Sequence, residues 1–104
     1  MAAAAITPDV VIKTYIPSIG KTGTPTKLVK YFFQLTKVTD ADWLVTATHL
    51  QPGTPILYNA VTIDGSGNGV QEGTVGMTYT ASGTKLTLSG GTTGTTYGEV
   101  WFAE

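Results

Sequence analysis

Three stretches of this chain set chemically capable residues close together. Asp64-Gly65-Ser66-Gly67-Asn68-Gly69 puts side-chain oxygens at positions one, three and five of a loop and glycine at six. That is how an EF-hand calcium loop begins. Position twelve, which needs a bidentate carboxylate, is Val75, and no helix is predicted on either side. Glu72 could supply a later ligand to a non-helical cation site spanning Asp64 to Asn68, but the spacing favours a glycine-rich turn. Gly20-Lys21-Thr22-Gly23 carries the letters of a phosphate loop without its spacing, since Tyr15 stands where the leading glycine belongs. It reads as an exposed loop with a solvated lysine.

Asp40 and Asp42 lie two residues apart. In an extended segment both carboxylates would face one side, which suits cation binding or paired acid–base work. In a turn beside Trp43 they read instead as capping and solvating groups. His49 is the sole histidine, and a general base needs a partner nucleophile. Ser18, Ser66, Ser82 and Ser89 fall in loops or at strand ends, outside any nucleophile motif. An enzyme would require His49 to converge with Asp40 or Asp42 in a cleft. The expectation is no catalytic residue, no cofactor and no metal.

The elements around these residues are predicted to be strands. Threonine makes up about one-fifth of the chain and there are 13 glycines. Threonine suits a pleated strand and glycine the turns between strands. Val10 to Ile16 reads as a strand ended by Pro17, and Ser18 to Thr26 as a loop. In Leu28 to Thr36 the period is two: Val29, Tyr31, Phe33 and Leu35 face one way, and Leu28, Lys30, Phe32, Gln34 and Thr36 the other. Phe32, on the mixed face, would mark a contact surface if exposed. Trp43–Thr48, Ile56–Ile63, Val70–Ala81, Lys85–Ser89 and Tyr97–Phe102 are the other predicted strands. Val75, Met77, Tyr79, Ala81, Leu86 and Leu88 are expected to point inward. Gly90–Thr96 reads as a loop. The aromatics mostly alternate in register with Val and Leu and are expected in the core. The sum is an all-β chain of about seven antiparallel strands, a β-sandwich or small barrel. Residues 1–9 form an extended N-terminal arm and 10–104 a single β domain.

Composition narrows the partners. There is no cysteine and no arginine, and the charged fraction of 12% is about half that of an ordinary domain. Disulfides and thiolate chemistry are thereby excluded. Up to Thr39 five lysines stand against Asp9; from Asp40 on, six acids stand against Lys85. Folding would interleave the two signs, or leave a two-signed surface suited to docking in a lattice. Nucleic acid is not an expected partner, for want of arginine and of net positive charge. No stretch nears the roughly 18 apolar residues of a spanning helix, so no membrane partner is expected either. The start, Met1-Ala2-Ala3-Ala4-Ala5-Ile6-Thr7-Pro8, lacks the basic region and long apolar run of a secretory leader. Such an arm would pack on its own body, a sister subunit or another protein.

The closing stretch, YTASGTKLTLSGGTTGTTYGEVWFAE, is a β-meander ending in an aromatic strand. With the short Ala/Thr/Pro start, it resembles the small all-β proteins that decorate or cement the capsids of phages and archaeal viruses. The resemblance lies in the style of the whole chain, with no motif that transfers residue by residue. It implies a non-enzymatic homo-oligomer, a trimer by preference, on the virion surface, docked on a major capsid protein or other lattice subunit. Ala2, Ala3, Ala4, Ala5 and Ile6, with the strand from Val10, would then lie against a neighbour. The competing expectation is an extracellular adhesin-like or carbohydrate-binding module, favoured by coplanar exposed aromatics on one sheet face. A third is a fibre subunit whose N-terminal segment completes a neighbour's sheet.

Overall fold

A computed structural model describes residues 2–17, 27–72 and 77–103. The loop expected at 18–26, and the inward placing of Val75, lie outside the described residues. Among the described residues eight antiparallel strands form two sheets: β1 (Val10–Pro17), β2 (Lys27–Lys37), β3 (Trp43–Val45), β4 (Leu57–Ile63), β5 (Gly69–Gln71), β6 (Met77–Thr80), β7 (Lys85–Leu88) and β8 (Gly94–Ala103). The larger sheet has the order β1-β2-β8-β4-β5 and the smaller β3-β7-β6. This is a sandwich-like all-β fold.

Its core is what strict alternation produces when one face of a strand meets another sheet. Val29, Tyr31, Phe33 and Leu35 of β2 are buried, facing Leu44, Met77, Leu86 and Leu88 of the smaller sheet. Val100 and Phe102 of β8 complete the cluster, and Phe102 meets Tyr31 edge-on at 5.7 Å. Each such large side chain contributes about 1.5–3 kcal/mol by leaving water. Gly98 faces the same core, because a Cβ there would strike the Phe33 ring.

The structure departs from the sequence reading in several places. The strand predicted over Trp43–Thr48 stops at Val45, and Thr46–His49 turn into a short helix, α1. Its partner β7 begins only at Lys85, where Thr84 has φ +46°, so the ladder has no rung beyond Val45. The Thr46 N–H instead donates to the Thr84 carbonyl at 2.9 Å. Gly94–Thr96, expected in a loop, begin β8; all three pair with β2, and Thr95 and Thr96 also pair with β4. Ala81, expected inward, is exposed in the turn before β7. The core expectation for the aromatics holds for some and fails for others. Tyr31, Phe33 and Phe102 are buried and the partly covered Tyr58 and Tyr79 pack against the core, but Tyr15 and Tyr97 are exposed and Trp43 and Trp101 only partly covered. Tyr97 and Trp101 fall opposite Gln34 and Lys30, on the face of the larger sheet turned away from the core.

Candidate functional site

Cross-strand pairing assigns every residue of the larger sheet to a face. Residues opposite Phe32, Lys30 and Gln34 lie on the face turned away from the smaller sheet. One row runs Ile12, Phe32, Glu99, Asn59; the next holds Thr14, Lys30, Trp101 and Leu57. A third holds Val10, Gln34, Tyr97, Val61 and Gln71. Val10, Ile12, Leu57 and Tyr97 are 40–52% exposed, unusual for large apolar side chains gathered on one face. Phe32, half-buried, lies 6.4 Å from Tyr97 with the rings tilted by 31°. Beside them a shallow groove of about 180 Å³ is floored by Ala60 and Gly98 and walled by Asn59, Val61 and Glu99. Gln71 donates to Asn59 Oδ1 at 3.1 Å, which orients that amide.

The charged groups near the middle of this face neutralise each other. Lys30 Nζ lies 3.4 Å from Glu99 Oε2, both side chains one-third exposed, and 5.5 Å from the Trp101 ring. A pair this exposed contributes about 0–1 kcal/mol to folding. β1, at the sheet edge, is uncovered on both sides. Val11 and Tyr15, on its other face, are 39% and 52% exposed. Exposed apolar side chains therefore continue from the outer face onto β1, where Lys13 stands between Val11 and Tyr15 with its Nζ 4.8 Å from the Tyr15 ring.

Ala4, Ala5 and Ile6 bond to β3 of the same chain and to the residue before it. Ala4 donates from N–H to Asp42 Oδ1 at 2.8 Å and accepts from the Trp43 N–H at 3.1 Å; Ile6 donates to the Trp43 carbonyl at 2.9 Å. Ala5 forms a parallel bridge with Trp43, along the outer edge of β3. Ala3 and Ile6 are half-buried, while Ala2, Ala4 and Ala5 keep their side chains exposed. Asp42 holds the junction, since Oδ2 also accepts from Val38 and Thr39 N–H groups at 3.0 and 2.8 Å.

Asp40 and Asp42 do not act side by side. Ala41 takes φ +70°, which breaks the extended path that would have aligned them. Asp40 binds Lys37 Nζ and the Gly91 N–H, each at 2.9 Å. Neither carboxylate bonds His49. Hydrogen bonding from Lys37 is the main cause holding the Asp40 pKa below 3.8. For Asp42, burial pushes the pKa up, but the Thr39, Ala4 and Val38 N–H groups and the Lys37 charge outweigh it. A carboxylate with a depressed folded pKa stabilises the fold above its unfolded value and loses that contribution as pH falls through the folded one. The melting temperature should therefore drop below about pH 4. Asp42→Ala should lose roughly 2 kcal/mol at neutral pH, flatten that acid limb and expose the Ala4 amide to hydrogen exchange. Unchanged protection of Ala4 would contradict this role.

Asp64, the first residue of the calcium-like loop, serves the β4–β5 turn. Its Oδ1 accepts from Ser66 and Asn68 N–H groups at 2.8 and 2.9 Å. Glu72, offered as a later ligand, is fully buried elsewhere. Both its oxygens receive Lys37 Nζ, at 3.2 and 3.1 Å, and Thr62 Oγ1 donates at 2.9 Å. The Gly90 N–H adds a bond at 2.8 Å, and Thr62 in turn meets Thr96 at 2.8 Å. This closed, satisfied cluster ties β2, β4 and β8 to the segment after β7. Among the described residues no group of three or more His, Cys, Asp and Glu side chains is placed to hold a metal, and no helix is long and apolar enough to cross a membrane.

Of the residues singled out from sequence, Phe32 belongs to the outer face; Tyr97, Trp101, Ile12, Leu57, Lys30 and Glu99 join it. The alternation of Tyr97, Glu99 and Trp101 against Gly98, Val100 and Phe102 was the signal that could have found the β8 members. The chain matches no protein-family model, no curated protein and no solved structure.

Proposed function

We propose that this protein is a non-enzymatic structural subunit of a virion or similar surface assembly, a decoration or cement protein that oligomerises and docks on a lattice. The observation that carries the reading is the contiguous exposed apolar surface over β1 and the outer face of the larger sheet. Such a surface is wasteful on a free monomer and useful once covered. The resemblance in style to capsid decoration proteins points the same way, with a major capsid protein or other lattice subunit as partner. The reading predicts that the chain co-bands with virus-sized particles on a density gradient of the culture that makes it, at a fixed ratio to the principal particle protein. Recovery only in the unassembled fraction would sink it.

A second reading is favoured by one observation. The Phe32–Tyr97 pair beside a groove lined by Asn59 and Glu99 combines an aromatic platform with polar groups that suit a sugar ring. Binding to a glycan array that disappears in Tyr97→Ala would favour a carbohydrate-binding module instead.

A further inference from the structure

We infer that the outer face of the five-stranded sheet docks on the same face of a second copy of this chain, across a two-fold axis. The inference rests on the assembly reading and names the partner of that surface. Three properties of the face select a second copy.

First, its charge is self-complementary. Lys30 and Glu99 are opposite charges near its centre, 3.4 Å apart and each one-third exposed. A two-fold axis lying between the sheets and passing midway between these side chains sets each lysine over the other copy's glutamate. The pair that is weak in one chain becomes four alternating charges, partly withdrawn from water, where Coulomb attraction is stronger. A partner of strong single charge would gain nothing from this face.

Second, its size fits. Four strands spaced about 4.8 Å and about eight residues long at about 3.4 Å give a footprint near 19 by 27 Å. Side-chain relief brings the accessible area to roughly 600–800 Å² per copy, the lower end for specific interfaces. Third, Ile12, Leu57 and Tyr97 are apolar and about half exposed around the central pair, with Phe32 between. Two such faces stack about 10 Å apart, as the sheets of a sandwich do. A two-fold contact makes a dimer, or an even-numbered assembly, in place of the trimer the resemblance implies.

Sedimentation velocity from about 5 to about 500 µM tests this, since an interface of this size spans micromolar and tighter affinities. The expected result is a mass rising from 10.9 kDa toward double that value. The double variant Ile12→Glu, Leu57→Glu should weaken association about 100-fold through like-charge contact, with unchanged circular dichroism because both side chains are solvent-exposed. Lys30→Glu and Glu99→Lys should each weaken self-association, and an equimolar mixture of the two should restore it. A dimer untouched by these variants overturns the inference while the assembly reading stands. A monomer at every concentration also overturns it, and leaves docking on a foreign lattice to be judged by the gradient experiment alone.

Discussion

Glu72→Ala is expected to destabilise the fold by about 3–5 kcal/mol, because it strands a buried lysine. Lys37 Nζ would keep only Asp40, and the Thr62 hydroxyl and Gly90 N–H would lose their acceptor. Neither Lys37 nor Glu72 has exposed side-chain surface, so water cannot step in. The companion result separates charge from packing. Lys37→Met combined with Glu72→Leu removes both charges together and should recover most of the loss, since desolvation leaves a buried ion pair with little or no net gain over apolar isosteres. Urea unfolding with a shared m-value measures both. A single-variant loss below about 1 kcal/mol would mean that the cluster is wet and contributes no more than a surface pair.

Gly94→Ala should be at least as damaging, for a steric reason. Gly94 opens β8 at φ +143°, and a Cβ there would collide with the carbonyl oxygen of Ile63, with Ile63 C at 3.0 Å and Asp64 Cα at 3.2 Å behind it. All three are backbone atoms of the strand end that β8 must pair with. No rotamer change can make room. Strain at positive φ adds to overpacking, together more than about 3 kcal/mol. Gly67→Ala is the control: φ is also positive, at +87°, but a Cβ would meet open space. It should cost about 1 kcal/mol. Comparing the two by thermal melting isolates the close approach from the dihedral. Equal losses would show that the Ile63 carbonyl does not constrain Gly94.

The β2 pattern shows how far local alternation reaches. Val29, Tyr31, Phe33 and Leu35 are buried as their period requires, because an eleven-residue strand in a sheet's interior has its faces set by the pleat. Leu86 and Leu88 follow for the same reason. Phe32 was legible as a candidate contact residue. Its companions were not, since Ile12, Tyr97 and Leu57 come from three other strands and only register puts them beside it. The glycines that make Gly94–Thr96 look like loop are outweighed by Thr95 and Thr96, good strand formers that pair with β2 on one side and β4 on the other. Trp43–Thr48 errs the other way, as good strand formers with no partner beyond Val45.

Composition and period two were enough to make this an all-β chain and to assign the two faces of β2, because side-chain direction along a strand and turn chemistry are local properties. Sheet order, the pairing of Lys37 with Glu72 across 35 residues, and the separation of Asp40 from Asp42 emerged only on folding. So did the apolar outer face. Alternation says that a strand has two faces, but which one meets water depends on the side of the larger sheet against which the smaller one packs. Here the three-stranded sheet packs on one face of the five-stranded one, and the opposite face is the surface on which the proposed assembly depends.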